Sequence, residues 1–127
     1  MRFGYMILYV PDVGAAVSFY EHAFGLARRF VHESGAYAEL ETGATTLALA
    51  GAQMAPAGSR MVRPDEPPPG VEIAFVTDDV AAAFARATGA GAAAVSAPEV
   101  KPWGQIVAYV RDSNGFLVEL CTPVGGG

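Results

Sequence analysis

Two glutamates stand where carboxylates are costly to keep. Glu72 lies in the run Val71-Glu72-Ile73-Ala74-Phe75-Val76, and Glu119 in Phe116-Leu117-Val118-Glu119-Leu120-Cys121. A carboxylate taken out of water must find a cation, a hydrogen-bond donor or a proton. Either residue alone is accounted for by water at a strand edge or by a nearby arginine such as Arg111. Two at related positions point instead to a site, because perturbed acids cluster where chemistry or binding occurs. Tyr5, Tyr9 and Trp103 are candidate walls of the same site, with Tyr37 and Tyr109 as further members. Aromatic walls with a few convergent polar groups are what small-molecule pockets look like. Taken singly, Tyr9 and Tyr109 read as core residues with hydroxyls at the rim. Trp103 differs, since Pro102 and Gly104 flank it in a loop. A cationic or planar ligand stacks there while Glu72 and Glu119 supply negative charge.

Other chemistries lack their residues. Cys121 is the only cysteine, so no internal disulfide forms, and with no histidine near it in sequence it reads as a small core residue. His22 falls on a helix and His32 on a strand, both in surface or packing roles. No nucleophile triad is visible. Gly89 and Gly91 follow a helix, the wrong end for cradling phosphate. The formal net charge of −5 argues against nucleic acid or anionic membrane as a partner. The one adjacent basic pair, Arg28-Arg29, reads as a solvated strand end. No signal-peptide core follows Met1 and no apolar stretch approaches 18 residues, so the expected location is the cytoplasm.

The elements that carry these residues follow from local pattern. Residues 3–10 form an apolar, β-branched and aromatic strand ending at Pro11-Asp12. Asp12 caps a helix on which Val13, Ala16, Val17, Phe19, Tyr20, Ala23 and Phe24 recur at helical spacing, and Gly25 closes it. Strands at 28–33, 36–41 and 45–50 follow, with Ser34-Gly35 and Thr42-Gly43 as turns. Residues 51–70 hold Pro56, Pro64 and Pro67-Pro68-Pro69 and read as a surface linker. The pattern then restarts: a strand at 71–76, Asp78-Asp79 capping a helix from Val80 to about Thr88, a weak strand at 93–96, and a hairpin of 105–111 with 116–122 around Asp112-Ser113-Asn114-Gly115. The last three residues, all glycine, are expected to be disordered.

The two halves align without a gap: Tyr5 to Val13 lies over Glu72 to Val80. Strand side chains alternate. Met6, Leu8 and Val10 therefore face the helices while Tyr5, Ile7 and Tyr9 turn inward. Ile73 and Phe75 oppose Glu72, Ala74 and Val76 in the same way. Val118 and Leu120 oppose Leu117, Glu119 and Cys121, and Ala48 points inward between Leu47 and Leu49. The expected fold is α+β: two paired βαβββ modules, with mixed sheets curled around a cleft and helices outside. The 127 residues make one domain, with modules at about 1–52 and 70–124, a linker at about 53–69 and a tail at 125–127.

The stretch Tyr9-Val10-Pro11-Asp12-Val13, then Ser18-Phe19-Tyr20-Glu21 and Phe24-Gly25-Leu26, resembles the opening of the vicinal oxygen chelate superfamily, which includes glyoxalases, bleomycin-resistance proteins and extradiol dioxygenases. Val110-Arg111-Asp112-Ser113-Asn114-Gly115-Phe116-Leu117-Val118-Glu119-Leu120 resembles its closing motif, and Pro102-Trp103-Gly104 is common there. The resemblance implies paired βαβββ modules, usually in a homodimer. It also implies four inward positions that hold a metal in metal-dependent members, here Tyr5, Ala48, Glu72 and Glu119. Only Glu119 keeps the usual ligand type. Glu72 stands in place of histidine, Tyr5 is a poor neutral donor and Ala48 cannot bind. Glu72 and Glu119 are thus the candidate metal ligands, and two carboxylates favour harder ions held weakly.

Two functions remain open. One is a binder without a full metal site and with no cofactor, sequestering an aromatic or cationic compound as the antibiotic-resistance branch does, with Tyr5, Tyr9, Trp103, Glu72 and Glu119 as ligand-binding residues. The alternative is a divalent-metal lyase or isomerase, glyoxalase- or epimerase-like, with Glu119 and Glu72 as catalytic residues.

Overall fold

A computed structural model of the chain describes residues 1–125. Of the glycine tail, Gly126 and Gly127 lie outside the described residues. By its contacts the chain divides into two compact units, one of Met1–Met61 and one from Val62 onward.

The first unit contains β1 (Tyr5–Val10), α1 (Val13–Phe24), β2 (Arg28–Val31), β3 (Tyr37–Leu40) and β4 (Thr46–Gly51), followed by one 3-10 turn at Ala52–Met54. The second contains β5 (Ile73–Val76), α2 (Val80–Gly89), β6 (Ala93–Val100), β7 (Ile106–Arg111) and β8 (Leu117–Cys121). The sheets run β1-β4-β3-β2 and β5-β8-β7-β6, each with one parallel pair (β1 with β4, β5 with β8) and two antiparallel pairs. The chain is therefore α+β, built of two βαβββ modules of identical strand order.

The local signals operate as read. The Asp12 carboxylate accepts from Ala15 N at 3.0 Å, and Gly25, at φ 68°, returns its N–H to Glu21 O at 3.1 Å. Asp79 caps α2 through Ala82 N at 3.0 Å. Val13, Ala16, Val17, Tyr20 and Ala23 are the buried stripe of α1, and Leu8, Val10, Ala38, Leu40, Leu47 and Leu49 are buried in the sheet of the same module. In the second module Val110, Val118 and Leu120 take that role with Val80 and Ala87 of α2.

Three boundaries differ from expectation. The helix α2 continues through Gly89 to a cap at Ala90, whose N–H reaches Arg86 O at 3.0 Å. The left-handed turn falls at Gly91 instead, at φ 108°. The strand β6 extends to Val100 although it contains Pro98. It is the edge strand, where a missing amide proton breaks no ladder bond. Its register shifts between Ser96 and Glu99, which lie opposite Tyr109 and Val107. That bulge keeps both side chains on one face although they are three residues apart. Finally, β5 begins at Ile73, not Val71, because Val71 N turns back to Pro69 O at 2.8 Å. Glu72 is thus not mid-strand: it precedes the first ladder residue and is exposed.

The β7–β8 hairpin is fixed by its turn. Asp112 Oδ1 accepts from Asn114 N and Phe116 N, both at 2.9 Å, and Gly115 adopts φ 99°. The connecting chain is fastened here: the Arg111 guanidinium donates to Gly115 O at 2.8 Å, Arg63 O at 3.0 Å and Pro64 O at 3.2 Å. Among the described residues, no helix is long and apolar enough to cross a membrane.

Candidate functional site

Because the turn pins the register, Tyr109 of β7 lies directly opposite Glu119 of β8, and Ala74 of β5 lies opposite it on the other side. The Tyr109 hydroxyl donates to Glu119 Oε1 at 2.8 Å. Glu72, two residues before Ala74, shares this face; although exposed, its carboxyl is pushed up from the usual carboxylate value by partial loss of solvent and then by the charge of Glu119, with hydrogen bonding to Tyr109 opposing. One hydroxyl proton serves one carboxylate at a time, and the geometry gives it to Glu119. The same contact to Glu119, then burial, raises Tyr109 above the ordinary phenol range. Among the described residues, no Lys, Arg or His pairs with Glu72 or Glu119. Arg111, the partner that would have made Glu72 a structural anchor, is committed to three backbone carbonyls. The two carboxylates are thus brought together and left without a cation.

Trp103 sits in the tight turn between β6 and β7, closed by Gly104 N to Lys101 O at 2.8 Å, with Gly104 at φ 91°. Its side chain is 60% exposed. Its indole N–H donates to Gln105 Oε1 at 2.8 Å, and Gln105 Nε2 donates to Thr122 O at 2.9 Å. Gln105, Val107 and Tyr109 alternate along one side of the strand, so the buried Gln105 links the turn to the face that holds Glu119. Sequence reasoning missed Gln105. Its partner Thr122 is 17 residues away, just past the end of β8.

Tyr5 and Tyr9 belong to the first module, on the side of β1 that also carries Ile7; Tyr5 is exposed and Tyr9 half-buried. Tyr5 lines an open depression of about 620 Å³ with Arg2, Phe3, Gly4, Ala44 and Thr46. Nearby, the Tyr37 hydroxyl donates to Glu39 Oε2 at 2.8 Å and is pushed up to about 12, by burial first and by Glu39 next. This carboxylate does have a cation. Arg29 donates to Glu39 Oε1 at 3.0 Å, to Glu41 Oε1 and Oε2 at 2.8 and 3.2 Å, and to Thr46 Oγ1 at 3.0 Å. Arg28 likewise forks onto Glu21 at 2.9 and 3.0 Å. Arg28 and Arg29 are exposed at the start of β2, as read from the sequence, and both are in addition paired, Arg29 tying β2, β3 and β4 together. The period-two spacing of Glu39 and Glu41 across from Arg29 was the available signal.

Of the remaining candidates, both histidines lie at the surface in local bonds and the cysteine is in the core. His22 bonds Ser18 O at 2.7 Å, and His32 is held by Ser34. Cys121 is buried, and burial followed by the neighbouring Glu119 pushes its thiol up to about 11, away from a reactive thiolate. The residues at the metal positions that the resemblance implies do not fit a metal. Ala48 has no donor atom, Tyr5 offers a neutral phenol, and one Glu119 oxygen is taken by Tyr109. Among the described residues no group of three or more His, Cys, Asp or Glu assembles that could hold an ion.

A family model described as Glyoxalase/Bleomycin resistance protein/Dioxygenase superfamily matches residues 2–120. No curated protein matches the chain. Among solved structures, a glyoxalase-related enzyme from Fulvimarina pelagi is similar with a TM-score of 0.81 at 21% identity, over 97% of this chain and 88% of the other. TioX from Micromonospora sp. ML1 gives 0.78 at 24% identity, over 96% and 98%. A glyoxalase/bleomycin resistance protein/dioxygenase from Nocardioides gives 0.73 at 23%, over 100% and 86%. At such identities the likeness is one of fold. With the family model spanning both βαβββ modules, the chain belongs to the Glyoxalase/Bleomycin resistance protein/Dioxygenase superfamily.

Proposed function

We propose that this chain binds or sequesters a small aromatic or cationic compound and works without a complete metal site. The observation that carries the reading is the Glu72–Glu119 pair, two carboxylates on one sheet face with no cation of their own. In the first module the comparable carboxylate, Glu39, has Arg29 as counter-ion. A ligand with positive charge supplies on the second module what Arg29 supplies on the first. Tyr109 presents Glu119 in a fixed orientation, and Trp103 offers exposed aromatic surface on the same module.

Calorimetric titration with a small organic cation and with an anion of equal size tests this. Cation binding that weakens about tenfold in Glu119→Gln, or about 1.4 kcal/mol, is the expected result. Equal binding of both ions, or none of either, defeats the proposal.

The second reading, a divalent-metal lyase or isomerase on Glu72 and Glu119, has the mutual influence of those two carboxylates in its favour. Elemental analysis of protein purified without an affinity metal column tests it, since a stoichiometric divalent ion is required. We further propose a cytoplasmic homodimer, which sedimentation at micromolar concentration tests for assembly.

A further inference from the structure

The geometry points to Gln105 as a positioning residue that holds the Trp103 indole as a fixed stacking platform, which makes the ligand of the acidic face a planar aromatic cation and not an open-chain one. This rests on the binding reading above and narrows it.

A large aromatic side chain on a hairpin tip ordinarily samples several rotamers, because nothing holds its far edge. Here the far edge is held. Indole N–H can only donate and a backbone carbonyl can only accept, so both ends of the Gln105 amide are specified: Oε1 toward Trp103 at 2.8 Å and Nε2 toward Thr122 O at 2.9 Å. Gln105 is 7% exposed, and the strand ends beneath it are locked by Ile106 N to Thr122 Oγ1 at 2.9 Å and Thr122 N to Ile106 O at 3.0 Å. Lys101 N to Gln105 O at 2.8 Å closes the turn above it. A buried amide thus spends both of its hydrogen-bonding ends on fixing one ring and one strand end, while 60% of Trp103 stays open to solvent. A ring face that is open yet immobile is preorganised for stacking, since the ordering cost of binding has already been met in folding.

The charge on the platform's side of the sheet selects the ring. Cys121 and Val107 form a single row between Gln105 and the Tyr109–Glu119 pair, roughly 7 Å along the strand from Cys121 to Glu119. A ring that stacks on Trp103 gains from positive charge through the indole quadrupole, and the two carboxylates without a cation belong to the same module. The edge strand adds Glu99 opposite Val107, already engaged by Lys101 at 3.7 Å.

Trp103 is the only tryptophan, so its fluorescence reports on this ring alone. Time-resolved anisotropy of the free protein is compared for wild type and Gln105→Leu, and N-methylquinolinium and choline are titrated by calorimetry into wild type, Gln105→Leu, Trp103→Phe and the double variant. Expected are a fast local depolarisation in Gln105→Leu that wild type lacks, and N-methylquinolinium binding at least tenfold tighter than choline. Binding should weaken about threefold to tenfold in Gln105→Leu, and that effect should vanish in the Trp103→Phe background, where no N–H remains to be held. Unchanged anisotropy in Gln105→Leu overturns the positioning role without any ligand. Normal anisotropy changes with equal choline and N-methylquinolinium affinity overturn the planar class while leaving the acidic-face reading standing. No binding of either cation defeats both. Should Gln105→Leu fail to fold, an undiminished affinity in Trp103→Phe still overturns the indole anchor.

Discussion

Replacing Gly115 by alanine tests the structural root of the site, because the hairpin that sets Tyr109 against Glu119 turns at this residue. At φ 99° an L side chain is strained by about 1–2 kcal/mol. The added Cβ would also lie 2.7 Å from the carbonyl carbon and oxygen of Arg63 and the nitrogen of Pro64, backbone atoms that cannot rotate aside. The connecting segment must lift, which costs the Arg111 bonds to Arg63 O and Pro64 O. Both face solvent, so about 1 kcal/mol for the pair is appropriate. The sum is a loss of about 2–3 kcal/mol in urea denaturation, with faster tryptic cleavage after Arg60 as the segment comes away. Arg111→Met removes the bonds without the strain and should cost about 1–2 kcal/mol. A Gly115→Ala change below about 0.5 kcal/mol, with unaltered digestion, would refute the reasoning: neither the turn nor the fastened connection would then constrain the hairpin.

Glu72→Gln should leave stability at neutral pH unchanged or raise it by no more than about 1 kcal/mol, since the group is exposed and screened. Its folded-state pKa lies above the usual value of 4.5, so the folded state binds the proton more tightly and wild-type stability falls as pH rises from 4.5 through the raised value. Denaturation curves of the two proteins should coincide below that window and separate above it; a loss at pH 7 would mean that Glu72 anchors the fold. Arg29→Met should lower the thermal midpoint clearly more than Arg28→Met, because it strands the half-buried Glu39 whereas the Arg28 partner Glu21 lies nearer the surface. Equal losses in thermal melts would contradict the cross-strand role of Arg29. Cys121, buried and raised to about 11, should react with a thiol reagent at pH 8 only after denaturant is added.

What the sequence made legible was local. Asp12, Asp79, Gly25 and Gly115 act on bonds within a few residues of themselves, so caps and turns could be placed without knowing the fold. Alternation then oriented Tyr5, Ile7 and Glu119, because one register fixes a whole strand. Interactions that cross strands were hidden. Arg29 meets Glu39, Glu41 and Thr46 only once three strands are in register, and Gln105 meets Thr122 only after the hairpin closes. The true start of β5 was obscured because Val71 is a good strand former overruled by the prolines before it. The length of β6 was obscured because Pro98 argues against a strand unless its edge position is known.

The contrast between the two carboxylate clusters carries a consequence for how such a protein can diverge. The modules repeat one topology, yet Glu39 is spoken for by Arg29 and Tyr37 while Glu119 has Tyr109 and, among the described residues, no cation. Every change around Glu39 falls on fold stability, whereas changes around Glu119 leave no cation stranded. A repeated architecture with this asymmetry separates two demands: the cluster around Glu39 is tied to holding its sheet together, and the cluster around Glu119 is not. A saturation library across the chain should therefore produce different tolerance in the two carboxylate clusters, intolerant around Glu39 on β3 and permissive around Glu119 on β8.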